Sequence, residues 1–432
     1  MDKLVLIGNG PLEGEVRISG AKNASLPCLA ASILTAGAVS LTNLPWVRDI
    51  YTMCDLIREL GLEINDNEDG VAIKGAKINS HIAPYQLVKT MRASILVLGP
   101  LLARLGRAQV SLPGGCAIGA RPVDLHLKAL EKMGAKIKLE HGYIDAQAER
   151  LKGAHIDFEK VTVTGTENMM MAATLAEGTT ILDNAAQEPE VVDLANMLIA
   201  MGADIQGAGT SRIVIEGVDS LHGCDHRIIP DRIETGTYVC AAAITRGRVS
   251  ITNTAPQYLG AFLDAMQRAG LPMDIHEDRI EVYPHEGLRS VNVATEPHPG
   301  FPTDMQAQFI ATMTQAEGTS IVTENIFENR FNHVPELKRM GADIVIDGNR
   351  ALTIGPASLS GAQVMATDLR ASASLVIAGL IAAEETTIDR IYHLDRGYYD
   401  LEGKLRNLGA KIRRVKNGTD QIQQVVQELS NI

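Results

Sequence analysis

The amino-acid sequence predicts an α/β protein of two similar domains, each made of three repeated units in which buried helices are enclosed by sheets. Two recurring phrases support this prediction. In the first, a leucine or methionine is followed by a glycine. In the second, a few polar or charged residues are followed by an alanine-rich apolar run. Both return at intervals of about 70 residues, which is longer than the usual solenoid periods. Six copies of one unit, in two groups of three, therefore account for most of the chain.

The first phrase marks the end of a helix and the start of a strand. A typical copy is Met133-Gly134-Ala135-Lys136-Ile137, which follows the amphipathic pattern of residues 124–133. A glycine directly after a helical pattern predicts a left-handed residue beyond the helix end, and the isoleucine then begins a strand. The glycines at this position are Gly61, Gly134, Gly202, Gly341 and Gly409, and a looser copy, Ala269-Gly270-Leu271, adds Gly270.

The second phrase predicts helices without a polar face. A polar opening leads into a run such as Met169 to Ala176, which is apolar nearly all round. Such a helix is typical of a domain interior. Polar residues at the starts of these helices can converge on one place. The openings begin at Lys22, Met91, Gly165, Ile233, Thr303 and Asp368.

The chain divides near residues 228–232, where a proline and charges favour a crossover. We expect a first three-repeat domain over residues 22–229 and a second over 230–416, joined by residues 1–21. The tail, residues 417–432, has a pattern that could form a short amphipathic helix, although a mobile terminus is the favoured interpretation.

Bulk properties exclude several classes of function. The net charge of −12 argues against nucleic acid and against an anionic membrane as partners. The five cysteines are scattered and form no CxxC pair, which indicates reduced thiols and neither a disulfide framework nor a zinc site. No apolar run approaches the roughly 20 residues of a membrane span, and the start does not resemble a signal peptide. We expect a soluble cytoplasmic protein without a metal or cofactor.

The stretch Leu112 to His126 carries the clearest chemical signal. Its three glycines and two prolines predict a loop, and it contains Cys116 and Arg121. Free backbone N–H groups beside an arginine suit an anion such as a phosphate, and a thiol near a cation is more reactive than usual. The alternative is a flexible surface loop with an incidental cysteine.

Polar and charged residues, most of them at the predicted helix starts, extend this signal. Singly, each has a structural interpretation: Asp304 could cap a helix, and Arg396 could pair with Asp395 or Asp400. Together they supply several cations and two carboxylates, which suits binding of a phosphate ester and movement of protons on and off it. The set comprises Lys22, Asn23, Arg92, Asp304, Asp368 and Arg370 at helix starts, with Arg121 from the glycine loop and Arg396 from the stretch 393–397.

Nine phrases of the chain resemble the UDP-N-acetylglucosamine 1-carboxyvinyltransferases, the enolpyruvyl transferases of peptidoglycan synthesis in the EPSP synthase-like superfamily. The resemblance extends from residue 1 to about residue 416. It implies that family's inside-out α/β barrel fold, two domains of three repeated units with the helices inside. The phrases are Ser19–Ala24, Lys89–Ser94, Leu112–His126, Leu175–Thr180, Pro230–Gly236, Phe301–Gln308, Phe327–Phe331, Ala366–Ser374 and Arg390–Gly397.

The resemblance also implies a reaction and its residues. The 3-hydroxyl of the UDP-sugar attacks C2 of phosphoenolpyruvate while C3 gains a proton, and the tetrahedral intermediate then loses phosphate. Cys116 stands at the family's proton-donor position, and the small epoxide fosfomycin is expected to alkylate it. Lys22 and Asn23 match phosphoenolpyruvate contacts, and Lys22, Arg121 and Arg396 match cations for phosphate and carboxylate. Asp304 matches the base, a role that Asp368 could share.

Further residues match the contacts of the UDP-sugar. The stretch Thr162–Thr166 departs from the Ser-Val-Gly-Ala-Thr pattern frequent in the family, although a threonine hydroxyl can replace that of serine. Because the matched residues come from both groups of repeats, we expect the site to lie in a cleft between domains. The matched contacts are Arg92, Arg121, Pro122, Val123, Asp124, Leu125, Lys160, Val161, Thr162, Val163, Asp304, Ile326 and Arg370.

Two alternatives compete with this hypothesis. An enolpyruvyl transferase could use shikimate 3-phosphate as acceptor, although shikimate-type transferases do not resemble the Cys116 loop. A repeat-built protein could instead bind a nucleotide sugar without catalysis, which is harder to reconcile with an acid, a base and several cations in one set.

Overall fold

The structure is a computed structural model that describes residues 2–112, 123–416 and 419–430. The chain forms two compact units. The split unit contains residues 2–19 and everything described from residue 230 onward, and the inserted unit contains the described residues between 20 and 229. The chain thus starts one unit, builds the other, and returns to finish the first.

Two strands of the split unit lie at the start of the chain. They are β1 (Lys3–Ile7) and β2 (Glu13–Arg17). β1 is buried at its three central residues, whereas β2 buries only Val16. Their partners come from the far end of the sequence.

The inserted unit contains three four-stranded sheets. Its strands are β3 (Ala38–Thr42), β4 (Glu63–Asp66), β5 (Gly70–Lys74), β6 (Ile82–Ala83), β7 (Arg107–Ser111), β8 (Lys136–Glu140), β9 (Tyr143–Gln147), β10 (His155–Asp157), β11 (Thr179–Asp183), β12 (Asp204–Gln206), β13 (Arg212–Glu216) and β14 (Asp225–Arg227). The sheet orders are β14-β3-β5-β4, β6-β7-β9-β8 and β10-β11-β13-β12.

The helices of the inserted unit alternate with these strands. They are α1 (Lys22–Ala31), α2 (Arg48–Glu59), α3 (Tyr85–Val88), α4 (Leu98–Leu105), α5 (Asp124–Lys132), α6 (Val163–Ala173) and α7 (Pro189–Ala200). Short 3₁₀ helices span Ser32–Leu34 and Arg92–Val97.

The split unit also contains three sheets. Its later strands are β15 (Arg248–Thr252), β16 (Met273–Ile275), β17 (Arg279–Val282), β18 (Leu288–Arg289), β19 (Val293–Ala294), β20 (Ala316–Thr323), β21 (Asp343–Asp347), β22 (Arg350–Gly355), β23 (Gln363–Met365), β24 (Glu385–Asp389) and β25 (Lys411–Val415). The sheet orders are β16-β17-β15-β2, β18-β20-β22-β21 with β19 also on β20, and β23-β24-β1-β25.

The helices of the split unit follow the same alternation. They are α8 (Arg232–Ile244), α9 (Gly260–Arg268), α10 (Gln306–Met313), α11 (Val334–Arg339), α12 (Leu369–Gly379), α13 (Leu401–Asn407) and α14 (Thr419–Ser430). Short 3₁₀ helices span Pro256–Leu259, Thr303–Met305 and Ile391–Arg396.

All six sheets share one pairing pattern, which confirms the sixfold repetition predicted from the sequence. In each, the edge strand pairs in parallel with its neighbour, and the next two pairings are antiparallel. The three sheets of the split unit have the same succession of one parallel and two antiparallel pairings. The six phrase glycines all have positive φ, between 90° at Gly270 and 103° at Gly61, so each ends its helix in the left-handed conformation.

The helices that open with polar residues form the interior of each unit, as their apolar patterns predict. α6 is buried continuously from Gly165 to Ala173, and α8 from Ile233 to Ile244. The connecting helix α2 buries only one side. Each unit consequently has its own apolar core. The core residues lie within 21–228 in the inserted unit, and within 4–18 and 233–412 in the split unit. The polar first turns of the buried helices are therefore held in fixed positions.

The tail is a helix instead of the mobile terminus that the sequence favoured. In α14, Ile422, Val425, Val426 and Leu429 recur at helical spacing and pack on Val5 and Val415. Arg413 forms an ion pair with Glu428. The packing of this apolar stripe on the sheet stabilises the helix. Within the described residues, no helix of either unit is long and apolar enough to cross a membrane.

Candidate active site

Lys22 begins the buried helix α1 of the inserted unit. Its ammonium Nζ lies 3.5 Å from Oδ2 of Asp49, in the first turn of α2, and the two side chains are only 12% and 5% exposed. Asn23 follows as a half-buried residue of the same turn. A cation that is removed from water in this way interacts strongly with any anion that approaches the helix start.

Arg92 begins the 3₁₀ helix that leads into α4, and its charge acts on His126 of α5. Burial lowers the pKa of His126 to about 4, and the positive charge of Arg92 adds to that effect. The imidazole is therefore neutral at neutral pH. Asn168 of α6 donates to its Nδ1 at 3.0 Å, and also donates to the backbone oxygen of Ile95 at 3.1 Å. These bonds tie three buried segments of the inserted unit together beside Arg92.

The segment 160–163 leads into α6, and Thr162 caps that helix. The Thr162 hydroxyl accepts a hydrogen bond from the Gly165 N–H at 3.2 Å, and its backbone oxygen accepts one from the Thr166 hydroxyl at 2.8 Å. A threonine thus performs here the capping that serine can also perform. Lys160 and Val161 are exposed before the cap, and Val163 is half-buried after it.

The other predicted residues of this region are only partly covered by the described chain, which resumes at residue 123. Val123 precedes α5, while Asp124 and Leu125 form its first turn. Cys116, Arg121 and Pro122 lie outside the described residues.

Asp304 of the split unit lies between two buried arginines. Its Oδ1 accepts from Arg330 Nη2 at 2.6 Å, and its Oδ2 accepts from Arg370 Nη2 at 3.0 Å and Nε at 3.2 Å. The arginine side chains are 5% and 4% exposed, whereas that of Asp304 is 27% exposed. The carboxylate is thus partly buried, and both guanidinium groups that bind it are almost fully buried.

A second carboxylate supports this arrangement. Arg330 Nη1 donates to the Thr303 hydroxyl at 2.7 Å, and that hydroxyl donates to Glu324 at 2.9 Å. Glu324 also accepts from the backbone N–H groups of Ile326 at 2.9 Å and Phe327 at 3.1 Å. Asp304 and Ile326, both predicted contacts of one ligand, are therefore joined through a short hydrogen-bonded chain.

The two arginines determine the charge state of Asp304. Burial alone raises the pKa of this carboxyl, but the positive charges of Arg370 and Arg330 outweigh it and hold the pKa well below its usual range. Asp304 is ionised at every physiological pH. Arg370 retains a buried Nη1 without a hydrogen-bond partner in the described structure, and its guanidinium lies 5.4 Å from the centre of the Tyr398 ring. A donor buried in this state can bind an incoming acceptor at little cost.

Asp368 performs the capping that was also considered for Asp304. Its Oδ1 accepts from the backbone N–H groups of Arg370 at 2.9 Å and Ala371 at 3.0 Å, which caps α12. Burial lowers the pKa of nearby His333 to about 4, and Arg330 contributes, although the charge of Asp368 acts in the opposite direction. This histidine is therefore neutral at neutral pH.

Arg396 is the last residue of the 3₁₀ helix Ile391–Arg396. Its charge and that of Asp368 both act on His393, whose pKa is lowered mainly by burial. The two carboxylates that the sequence offers as partners of Arg396 both make other contacts as well. Asp395 accepts from Arg414 at 2.5 and 3.0 Å, and Asp400 caps α13 through the Gly403 N–H at 3.2 Å.

Comparison with known proteins identifies the family. A model of the EPSP synthase family, described as 3-phosphoshikimate 1-carboxyvinyltransferase, matches residues 7–405. The chain belongs to the EPSP synthase family. It is thus an enolpyruvyl transferase, a class whose members bind small molecules such as phosphoenolpyruvate. This outcome confirms the predicted class of reaction.

Solved structures share the fold of this EPSP synthase family member. The enolpyruvyl transferase NikO from Streptomyces tendae is 27% identical, has a TM-score of 0.88, and the match covers 96% of this chain and 99% of that one. EPSP synthase from Acinetobacter baumannii is similar in two structures, at 19% and 20% identity, each with a TM-score of 0.75 and coverage of 96% and 100%. The enolpyruvyl transferase fold predicted from the sequence is therefore confirmed.

Two residues at the site of this enolpyruvyl transferase, Arg330 and Glu324, have no role that the sequence alone predicts. Arg330 lies in the phrase Phe327–Phe331, which was noted only as a resemblance, and Glu324 lies just before it. The signal for Arg330 was its position in that phrase, but its contact with Asp304 depends on a fold that brings β20 and its following loop beside the start of α10. Nothing in the sequence around Glu324 distinguishes it from a surface carboxylate.

Proposed function

We propose that this enolpyruvyl transferase transfers the enolpyruvyl group of phosphoenolpyruvate to the 3-hydroxyl of UDP-N-acetylglucosamine and releases phosphate. The observation that carries the proposal is the phrase Leu112 to His126, whose cysteine and arginine resemble the UDP-sugar-using enzymes and not the shikimate-using ones. The product would be a precursor of peptidoglycan, which connects the protein with cell shape and division.

The acceptor hydroxyl is activated by Asp304 in this proposal. A carboxylate whose pKa is held low by Arg330 and Arg370 is too weak a base to ionise a free hydroxyl. It can accept a hydrogen bond from that hydroxyl in the ground state. As the oxygen bonds to C2 of phosphoenolpyruvate the hydroxyl becomes strongly acidic, and the proton then passes to Asp304. Proton transfer therefore accompanies or follows C–O bond formation.

The other proton moves through Cys116. The thiol gives its proton to C3 of phosphoenolpyruvate as the oxygen attacks C2, which yields a tetrahedral intermediate. In the second step a proton leaves C3 and the C2–O bond to phosphate breaks, so the enolpyruvyl ether and inorganic phosphate are formed. An acid with a pKa close to the working pH is best suited to give and then take back a proton.

The cations of the set stabilise the charge that develops. Lys22, Arg121 and Arg396 face phosphate and carboxylate groups of phosphoenolpyruvate, and the buried ammonium of Lys22 is held in place by Asp49. Such preorganised cations lower the barrier because they need no rearrangement as the negative charge moves to the leaving phosphate. The unpartnered Nη1 of Arg370 is available to the sugar nucleotide beside Asp304.

A second acceptor has specific support. The matching family model is described as 3-phosphoshikimate 1-carboxyvinyltransferase, so shikimate 3-phosphate is the alternative acceptor. The purified protein is mixed with phosphoenolpyruvate and each acceptor in turn, and inorganic phosphate is followed. We expect release only with UDP-N-acetylglucosamine, together with a product whose mass has increased by one enolpyruvyl group.

Reactions that lack either phosphoenolpyruvate or the acceptor serve as controls. Phosphate release with shikimate 3-phosphate alone would replace the proposed acceptor by the alternative one. Release with neither acceptor would contradict both, and would leave the binding of a nucleotide sugar to be measured directly by calorimetry.

A further inference from the structure

Three potential metal ligands meet inside the inserted unit, apart from every residue assigned above. Cys28 of α1, Asp193 of α7 and His226 of β14 each offer one ligand atom, and these atoms all lie within 4.8 Å of one another. Cys28 is fully buried, Asp193 is 3% exposed, and the His226 side chain is 12% exposed. The three residues are distant in sequence, so the fold alone brings them together.

The hydrogen bonding of this cluster leaves lone pairs unused. Oδ1 of Asp193 lies 3.0 Å from Nε2 of His226, which is within hydrogen-bond distance. The second oxygen of Asp193, Oδ2, is buried without a hydrogen-bond partner in the described structure. The imidazole tautomer with its proton on Nδ1 has a lone pair on Nε2, the nitrogen that lies beside the carboxylate. Buried acceptors without donors are rare in native proteins unless a ligand, ion or water satisfies them.

The charges of the cluster favour a divalent cation. A thiolate from Cys28 and a carboxylate from Asp193 carry two negative charges, which a divalent ion neutralises, so that the filled site adds no net charge to the interior. Thiolate, imidazole and carboxylate together are typical ligands of zinc. We propose that Cys28, Asp193 and His226 bind a zinc ion.

The thiol must lose its proton when the ion binds. Burial raises the pKa of Cys28, and the negative charges of Asp193 and Glu167 add to that effect, so the free protein holds the thiol protonated. Zinc replaces this proton, which passes to solvent, and the S–H bond is exchanged for an S–Zn bond. No electrons are transferred. A water molecule completes the coordination where the three protein ligands leave a position open.

The proposed ion would join the beginning of the inserted unit to its end. Cys28 lies in the first helix of the unit and His226 in its last strand, β14, an edge strand that pairs with β3. A bridge between positions so far apart in sequence restricts the unfolded chain and stabilises the folded unit. The expected role is therefore structural, and it is independent of the acceptor used in enolpyruvyl transfer.

The test uses the full-length protein after removal of metal by a chelator. Zinc chloride is titrated by calorimetry, and the thermal midpoint is measured in parallel. We expect one equivalent of zinc to bind and, at about a hundred times the dissociation constant, a rise in the thermal midpoint of roughly 5 °C or more. Cobalt(II) in place of zinc should give a thiolate-to-metal charge-transfer band.

Variants assign the site. Cys28→Ala and His226→Gln should each abolish the thermal shift and the charge-transfer band. Cys240→Ala removes an equally buried cysteine of the split unit and should retain both, and Cys116→Asp, which removes the loop thiol, should also retain zinc binding. His226→Gln is the decisive variant if Cys28→Ala does not fold. Absence of zinc binding by the wild-type protein, or binding that survives His226→Gln unchanged, would overturn the proposal.

Discussion

Replacement of Arg330 by glutamine tests the arrangement around Asp304. The arginine donates to Asp304 at 2.6 Å and to Thr303 at 2.7 Å, and it is 5% exposed. Arg330→Gln removes the charge, and its shorter side chain cannot make both bonds. Asp304 then keeps Arg370 as a cationic partner.

The expected loss of stability follows from the geometry. Hydrogen bonds to charged groups contribute about 1.5–3 kcal/mol each, and removal of one partner from a buried pair costs about 3–5 kcal/mol. Asp304 is 27% exposed and retains Arg370, which places the expected cost at the lower end, about 3 kcal/mol. For a unit of this size the thermal midpoint should fall by roughly 6–12 °C.

A double-mutant cycle separates the contact from general damage. The free energy of unfolding is measured for the wild type, Arg330→Gln, Asp304→Asn and the double variant, and a coupling of at least about 1.5 kcal/mol is expected. Arg339→Gln is the matched control, because Arg339 is 60% exposed and lies 3.8 Å from Glu336, and its loss should cost about 0.5 kcal/mol or less. A coupling below about 0.5 kcal/mol would refute this account of the site.

The same variant has a defined pH dependence. The folded state lowers the pKa of Asp304, so the stabilising contribution of the ion pairs is fully present above the ordinary aspartate pKa of about 3.9 and is lost as the pH falls towards the lowered value. The stability difference between wild type and Arg330→Gln should be constant from neutral pH to about pH 5 and should shrink below about pH 4. A difference that grows on acidification would contradict the sign of this shift.

The turnover of Arg330→Gln at neutral pH should fall about ten- to a hundredfold, since Asp304 loses one of the groups that orient it.

Three further predictions concern other parts of the molecule. Lys22→Gln should lower kcat/KM by about a hundredfold or more, whereas Lys22→Arg should retain more activity. The thermal midpoint of the glutamine variant should also fall, because Asp49 loses a buried partner. Near-wild-type turnover of Lys22→Gln would show that Lys22 does not belong to the active site. Cys116→Ser should lose most turnover, whereas Cys116→Asp should keep its turnover and resist inactivation by fosfomycin. Mass spectrometry of the wild-type protein after inactivation should find the fosfomycin adduct on Cys116 and on no other cysteine. Leu429→Ala should lower the free energy of unfolding, measured by denaturant titration, by about 2 kcal/mol. The control Gln427→Ala, at an exposed position of the same helix, should change it by less than about 0.5 kcal/mol. Equal effects of the two substitutions would mean that the tail helix does not stabilise the sheet.

Much of the fold could be predicted because the same local signals recur six times. The glycine after each amphipathic helix adopts the left-handed conformation that its position predicted, from Gly61 to Gly409. The apolar runs predicted buried helices, and α6 and α8 are buried almost without interruption. These features depend on backbone geometry and hydrophobic periodicity, which act over a few residues and are therefore visible in a single sequence.

Features that depend on distant pairing were not predictable in the same way. No local pattern assigns β1 to a position between β24 and β25, or joins β14 to β3. The tail was underestimated because its apolar residues obtain their stability from the sheet beneath them. The site shows the same division: the charged helix starts were recognised, but the contact of Arg330 with Asp304 and the cluster around Cys28 required the tertiary structure.

The strand order of the split unit has a consequence for how the protein is synthesised. β1 and β2 leave the ribosome before the inserted unit, and their partners β15, β24 and β25 follow only after that entire unit has been translated. At typical elongation rates these two strands wait roughly 10–80 s, with the backbone of the apolar β1 unpaired, while the inserted unit completes all three of its sheets from its own residues. Misfolding during translation should therefore begin at residues 3–7. Because β1 finally lies beside β25, a circular permutant that attaches residues 1–19 behind the C-terminus would let each unit be made in one uninterrupted piece.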